Sequence, residues 1–266
     1  MKAKPKTVSA PTEAVLAVAV VLEEAVDRTL DALAASPTKP GRYEADVEAN
    51  VLLALVIRNS EGVYELARRD LALLPAALSC ARVAFEISVR ALWMLVPEDP
   101  YDREARWLAQ VQTEEHYLRK VAERLGGMGT DASAQVERAK TVRDFREAVT
   151  RALPHGHSVP KQVPKFDAAL ESLGRGAEYP FYMALSQPTH GTHVAGGMYR
   201  RGLGTQKELA EFVDGPDWGT PFRACIDAVT QTGSRLVTVL GGDPRHFLTD
   251  RFRSKAKVAL NRLRCA

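Results

Sequence analysis

Apolar and polar positions along the chain recur mainly at three- and four-residue steps, a spacing that predicts helices rather than strands. The first pattern runs over 12–34, with Thr12 placed to cap it. Residues 36–41, with two prolines and a glycine, break it. Val47, Val51, Leu55, Val63 and Leu66 predict a second helix over 43–70, in which Gly62 is a tolerable weak point. The third pattern, 74–96, is apolar on almost every side. Pro75 falls in its first turn, where proline is allowed, while Pro97 and Pro100 close it. A helix that is apolar all round belongs in the middle of a protein.

Helices are also expected over 101–125, 131–153, 166–173, 220–240 and 248–263, the 236–240 end of the fourth having some strand character. Gly126-Gly127-Met128-Gly129 and the segment 154–164, with His155, His157 and three prolines, read as loops. Over 198–213 a short hairpin and a helix–loop piece fit equally well. No repeat and no regular alternation of strand and helix appears, which argues against a parallel sheet. The expectation is an all-α fold: a single-domain bundle of about eight helices over 11–244, between a basic disordered tail (1–10) and a basic C-terminal helix (245–266).

Charge sharpens this picture at the ends. The net charge is +3 over 266 residues. Lys2, Lys4 and Lys6 face no acid within the first ten residues, and 245–266 holds seven Lys/Arg against Asp250 alone, so the body between is acidic. A basic end can be a solvated helix face or a surface for RNA or another anion. Only Phe247 and Phe252 accompany it, which offers little for stacking bases. The three cysteines, Cys80, Cys225 and Cys265, form no CxxC pair and fit a reducing, cytoplasmic setting. Charge-free apolar runs fall short of a membrane span, and Glu13 and Glu23-Glu24 spoil the likeness of the N-terminus to a signal peptide.

Chemistry concentrates in two places. Arg82, Glu86 and Arg90 sit at four-residue steps on the apolar helix, hence on one face, with Glu86 before Arg90 in the favourable order for an ion pair. Such a stripe has to be paired internally or line a cavity, because unpaired buried charge is very costly. The second place is 178–193, which gathers Tyr179, Tyr182, Ser186, His190 and His193 within fifteen residues. The two are expected to pack together.

Ala81-Arg82, Glu86, Arg90 and Pro97, followed by Tyr182, Leu185-Ser186 and His190-Gly191, resemble an all-helical bacterial family, domain of unknown function number 5677, over roughly residues 45–241. That family has no settled activity. More distantly the chain is similar to the HEPN superfamily, many of whose members are metal-independent ribonucleases of toxin and antiviral systems with an Arg-x-x-x-x-His motif. This similarity places the histidine at His190 and the polar residue at Ser186. Leu185 stands where the arginine belongs and Pro188 interrupts the motif, so Arg82 or Arg90 would have to supply the cation. The implied chemistry is removal of a ribose 2′-hydroxyl proton by His190, with an arginine stabilising the charged phosphorane.

Three readings stay open. Tyr182, Ser186, His190, Glu86, Arg82 and Arg90 can be a buried network in an interaction or accessory protein, expected to be homodimeric and without a cofactor. They can be a HEPN-like site acting on RNA. Or His190 and His193, with Glu86, Glu114, Glu115 and His116, can hold a metal, although the Glu-x-x-His spacing of helical di-iron sites is missing. A serine hydrolase lacks its Gly-x-Ser-x-Gly elbow.

Overall fold

The computed structural model describes residues 9–192, 195–201, 208–210 and 212–265. Lys2, Lys4 and Lys6 of the basic tail and His193 lie outside the described residues. The helices are α1 (Glu13–Ala34), α2 (Glu44–Arg69), α3 (Leu74–Leu95), α4 (Pro100–Gly127), α5 (Ser133–Ala152), α6 (Phe166–Ser172), α7 (Tyr179–Ser186), α8 (Gly219–Val239) and α9 (Asp250–Cys265). The all-α expectation holds. The 236–240 end of α8, for which strand character was expected, is helical to Val239, because it packs as the last turn of a helix whose Leu236 and Val237 are buried.

In the 198–213 segment, β1 (Arg200–Arg201) pairs antiparallel with β2 (Glu208–Leu209), and the intervening 202–207 lie outside the described residues. At the end of α4, Gly126 and Gly127 belong to the helix rather than to the expected loop. The turn falls at Gly129, whose φ of 72° and the bond from Thr130 N to Leu125 O end the helix in a left-handed cap.

Thr12 caps α1 as its spacing predicts, its hydroxyl accepting from Val15 N. α2 lies along α3, and α8 lies against α1, α2 and α3. α9 joins the same core through Phe252, Ala256, Ala259 and Leu263. Where α3 meets α8, the buried hydroxyls of Ser88 and Thr232 satisfy each other at 2.8 Å. By length and composition Leu71–Leu95 could cross a membrane, but here it is the core helix of the bundle. The α4–α5 pair projects from this centre: α5 packs on α4 and has no buried residue of its own.

The C-terminal end of α3 is closed in an uncommon way. No glycine follows it, and its last carbonyls would be orphaned. Arg235 of α8 donates to Leu95 O at 2.8 Å and Val96 O at 2.7 Å. Arg103 of α4 donates to Glu98 O at 2.8 Å, and Arg106 reaches Trp93 O. Arg106 and Arg235 thus satisfy carbonyls of this end and complement its negative dipole, while Arg103 satisfies the turn that follows. Arg103 also pairs with Asp46 of α2 at 3.0 Å, both side chains being nearly fully buried. On the next residue, Glu104 accepts from Ala45 N at 2.9 Å, so α4 clasps the first turn of α2.

Candidate functional site

The aromatic segment 178–192 meets the central helix, as expected. α7 begins at Tyr179 with Pro180 in its first turn and lays Phe181 and Tyr182 on α3. The Phe181 ring stands edge-on to Phe85, 5.9 Å between centroids, while Phe166 of α6 stacks on Tyr182 at 4.1 Å. Beside these rings the Tyr182 hydroxyl donates to Glu86 Oε1 at 2.6 Å. Arg82 Nη2 donates to both the Tyr182 oxygen and Glu86 Oε1, each at 3.2 Å, and its guanidinium lies over the Tyr182 ring.

Short, charge-assisted bonds of this kind are the strong ones. Burial works against the Arg82 charge, but the Tyr182 hydroxyl and the Glu86 carboxylate outweigh it, so the guanidinium is held more firmly protonated than usual. One donor is left over: Arg82 Nε is buried without a partner among the described residues.

The remaining expected members stand elsewhere. Glu86 does not pair with Arg90. Tyr182 arrives on the Arg82 side of Glu86 and draws the carboxylate that way, which leaves Arg90 exposed and without an ion pair among the described residues. Ser186 is buried, but its hydroxyl donates to Tyr182 O of its own helix at 2.9 Å, so it is a satisfied core hydroxyl. His190 is exposed and its ring hydrogen-bonds to no described residue. α7 ends at Ser186, Pro188 follows, and the chain turns at Gly191 with φ 57°, which carries His190 out of the network. Its neighbour Thr189 touches Ser79, 3.4 Å between hydroxyls, one turn before Arg82 on α3.

No group of three or more His, Cys, Asp or Glu that could hold a metal exists among the described residues. Glu114 and Glu115 are engaged with Arg138 and Arg146 of α5, at 3.3 and 3.1 Å, rather than turned toward Glu86. His116 bonds Arg119 on its own helix. His157, in the expected loop, is largely covered. It bonds Asp102 at 2.9 Å and lies against Tyr101, pinning the 154–164 loop to the first turn of α4.

The pinned loop roofs a cavity of about 510 Å³ between α2, α3 and α4, with Val163 and Pro164 in its wall. Arg90 lines it and also lines a smaller cavity of about 160 Å³ whose wall includes Glu86 and Phe166. Glu48, Gln110 and Tyr117 of the larger cavity belong to no sequence motif, so spacing gave no signal for them. In the basic C-terminal segment, Arg253 and Lys257 of α9 face Arg223 of α8 across another recess, while Lys255 is engaged with Glu24 of α1.

Known proteins supply no relative: no family model matches the chain, and no curated protein or solved structure matches it either.

Proposed function

We propose that the protein is a non-catalytic helical binding module, an interaction or accessory protein, in which Arg82, Glu86 and Tyr182 lock α7 onto the central helix. The observation that carries this reading is the separation of roles: the charged network is engaged internally, while His190, the one candidate base, stands outside it with an exposed ring. General-base catalysis needs the base within hydrogen-bond reach of its substrate and beside the stabilising cation. A side chain whose acceptor already takes a 2.6 Å bond from Tyr182 serves packing.

A HEPN-like ribonuclease is the second reading, favoured by one contact. Thr189 against Ser79 brings the His190 loop to within about a turn of Arg82, whose Nε is free of partners. RNA in that arrangement would draw on the cations of α9 that have no ion pair among the described residues for its phosphates.

Incubating the purified full chain with single-stranded RNA separates the two, with His190→Ala and Arg82→Ala made in parallel. The binding-module reading expects no cleavage above the background of both variants, a melting temperature unchanged in His190→Ala, and a lowered one in Arg82→Ala. Cleavage abolished by His190→Ala in a variant that melts like the parent would overturn it.

A further inference from the structure

The stripe that drew attention to α3 divides. Arg82 and Glu86 turn to α7, and Arg90 turns the other way, into the 510 Å³ cavity. That volume lies in the range of small-molecule sites. Three polar groups in its wall are already engaged. Thr113 donates to Ala109 O at 3.1 Å, Gln110 donates to Met94 Sδ at 3.7 Å, and Glu114 pairs with Arg138.

Three groups of different chemistry remain. Arg90 has no ion pair among the described residues. Glu48 of α2 is half-buried, and no described residue bonds its carboxyl. Burial, then the nearby Glu114 and Glu44, hold this carboxyl above its usual range. Tyr117 leaves 65% of its surface uncovered at the rim, close to the apolar Trp107 and Val111.

Arg90 and Glu48 line one cavity from different helices and do not reach each other within ion-pair distance. A simple anion would satisfy Arg90 and meet Glu48 as an uncompensated like charge. A simple amine would do the reverse. A ligand with an anion at one end, a cation at the other and an apolar or aromatic middle answers all three groups at once.

We infer that the cavity between α2, α3 and α4 is a binding site for a short peptide-like zwitterion, its carboxylate on Arg90, its ammonium on Glu48 and its side chain against Tyr117 and Trp107. The cavity shares no residue with Arg82, Tyr182 or His190, so the inference stands whether or not RNA is cleaved. It also goes beyond a general binding role by naming the ligand class.

The tripeptide glycyl-phenylalanyl-glycine with free ends is the probe, titrated calorimetrically into the full chain beside its N-acetylated and its C-amidated forms. Each blocked form is expected to bind about tenfold more weakly, the loss of one charge-assisted contact. Arg90→Gln is expected to weaken the free and acetylated peptides about tenfold and leave the amidated form unchanged. Glu48→Gln is expected to weaken the free and amidated peptides and leave the acetylated form unchanged. Both are cavity-lining charges without partners, and parent-like melting curves show that they fold. Absence of heat with the free peptide at several millimolar overturns the inference. So does equal binding of the free, acetylated and amidated peptides, or a loss in either variant that ignores which end is blocked.

Discussion

Asp227 shows how one side chain can weigh on stability without a bond to break. It sits on α8 facing a recess, beside Glu178, Arg175 and Arg223, and no described residue hydrogen-bonds its carboxyl. Burial first, then the like charge of Glu178, pushes its carboxyl up to about 6, against the partial relief of the two arginines. An acid raised on folding takes up a proton as the chain folds, so its contribution is favourable below about pH 4 and is lost as pH rises through 6. Asp227→Asn is therefore expected to melt above the parent at pH 7, with an upper bound of about 3 kcal/mol. The gap should close as pH falls from 6 toward 4. Melting curves at four pH values measure this, and a gap independent of pH refutes it. Two cysteines are quiet for a related reason: burial raises the Cys80 thiol and pushes Cys225 up to about 12, so both stay protonated. What sequence spacing could not settle also lies at this scale. Glu86 has an arginine four residues away on either side, and local geometry favours Arg90. The choice fell to Arg82 because a tyrosine hydroxyl arrives from 96 residues downstream.

Among elements, α1 and α8 cross closely at Gly233. A methyl added at Gly233 would lie 2.4 Å from Thr29 Cγ2, and Thr29 is fully buried with its hydroxyl bonded to Ala25 O at 2.8 Å. Neither side can yield cheaply, since Thr29 is β-branched and stiff. Gly233→Ala is expected to cost about 1–3 kcal/mol by overpacking. Adding Thr29→Ala should recover part of that loss, and a double-mutant cycle by chemical denaturation reads the coupling. If the two changes prove additive, the helices have spread apart instead. Helices themselves were legible in the sequence because their apolar periodicity, proline starts and the Thr12 cap are local signals. That α7 packs on α3 was legible for a physical reason too, since charges on an oily helix need company. The carbonyl-capping arginines were not. Arg235 lies 140 residues from Leu95, and nothing around it in the sequence distinguishes it from a solvated cation. His190 was placed in the network by its nearness to Tyr182 in sequence, but Pro188 and the turn at Gly191 send it outward.

At the scale of the molecule, burial is unequal. α3 and α8 are enclosed by neighbours, whereas α5 touches α4 along one side and buries none of its residues. Local opening free energies follow that gradient. Amide exchange is expected to be fastest among the long helices in α5 and slowest in α3 and α8, with α4 slower in its first half, where Arg103 and Glu104 hold it to α2. Equal protection of α5 and α8 in a hydrogen-exchange time course would contradict this. The cores of α2 and α4 are joined by the buried Arg103–Asp46 pair, and removing one partner of such a pair typically costs about 3–5 kcal/mol.

The position of α8 has a consequence for how the chain is made. α1, α2 and α3 leave the ribosome about 120 residues before the helix that fills the space between them. At ordinary translation speeds that interval is on the order of ten seconds. Throughout it the nascent polypeptide shows its oiliest faces to water, and the end of α3 lacks Arg235, which later caps Leu95 O and Val96 O. Chaperone demand during synthesis should thus peak midway and fall once α8 has emerged.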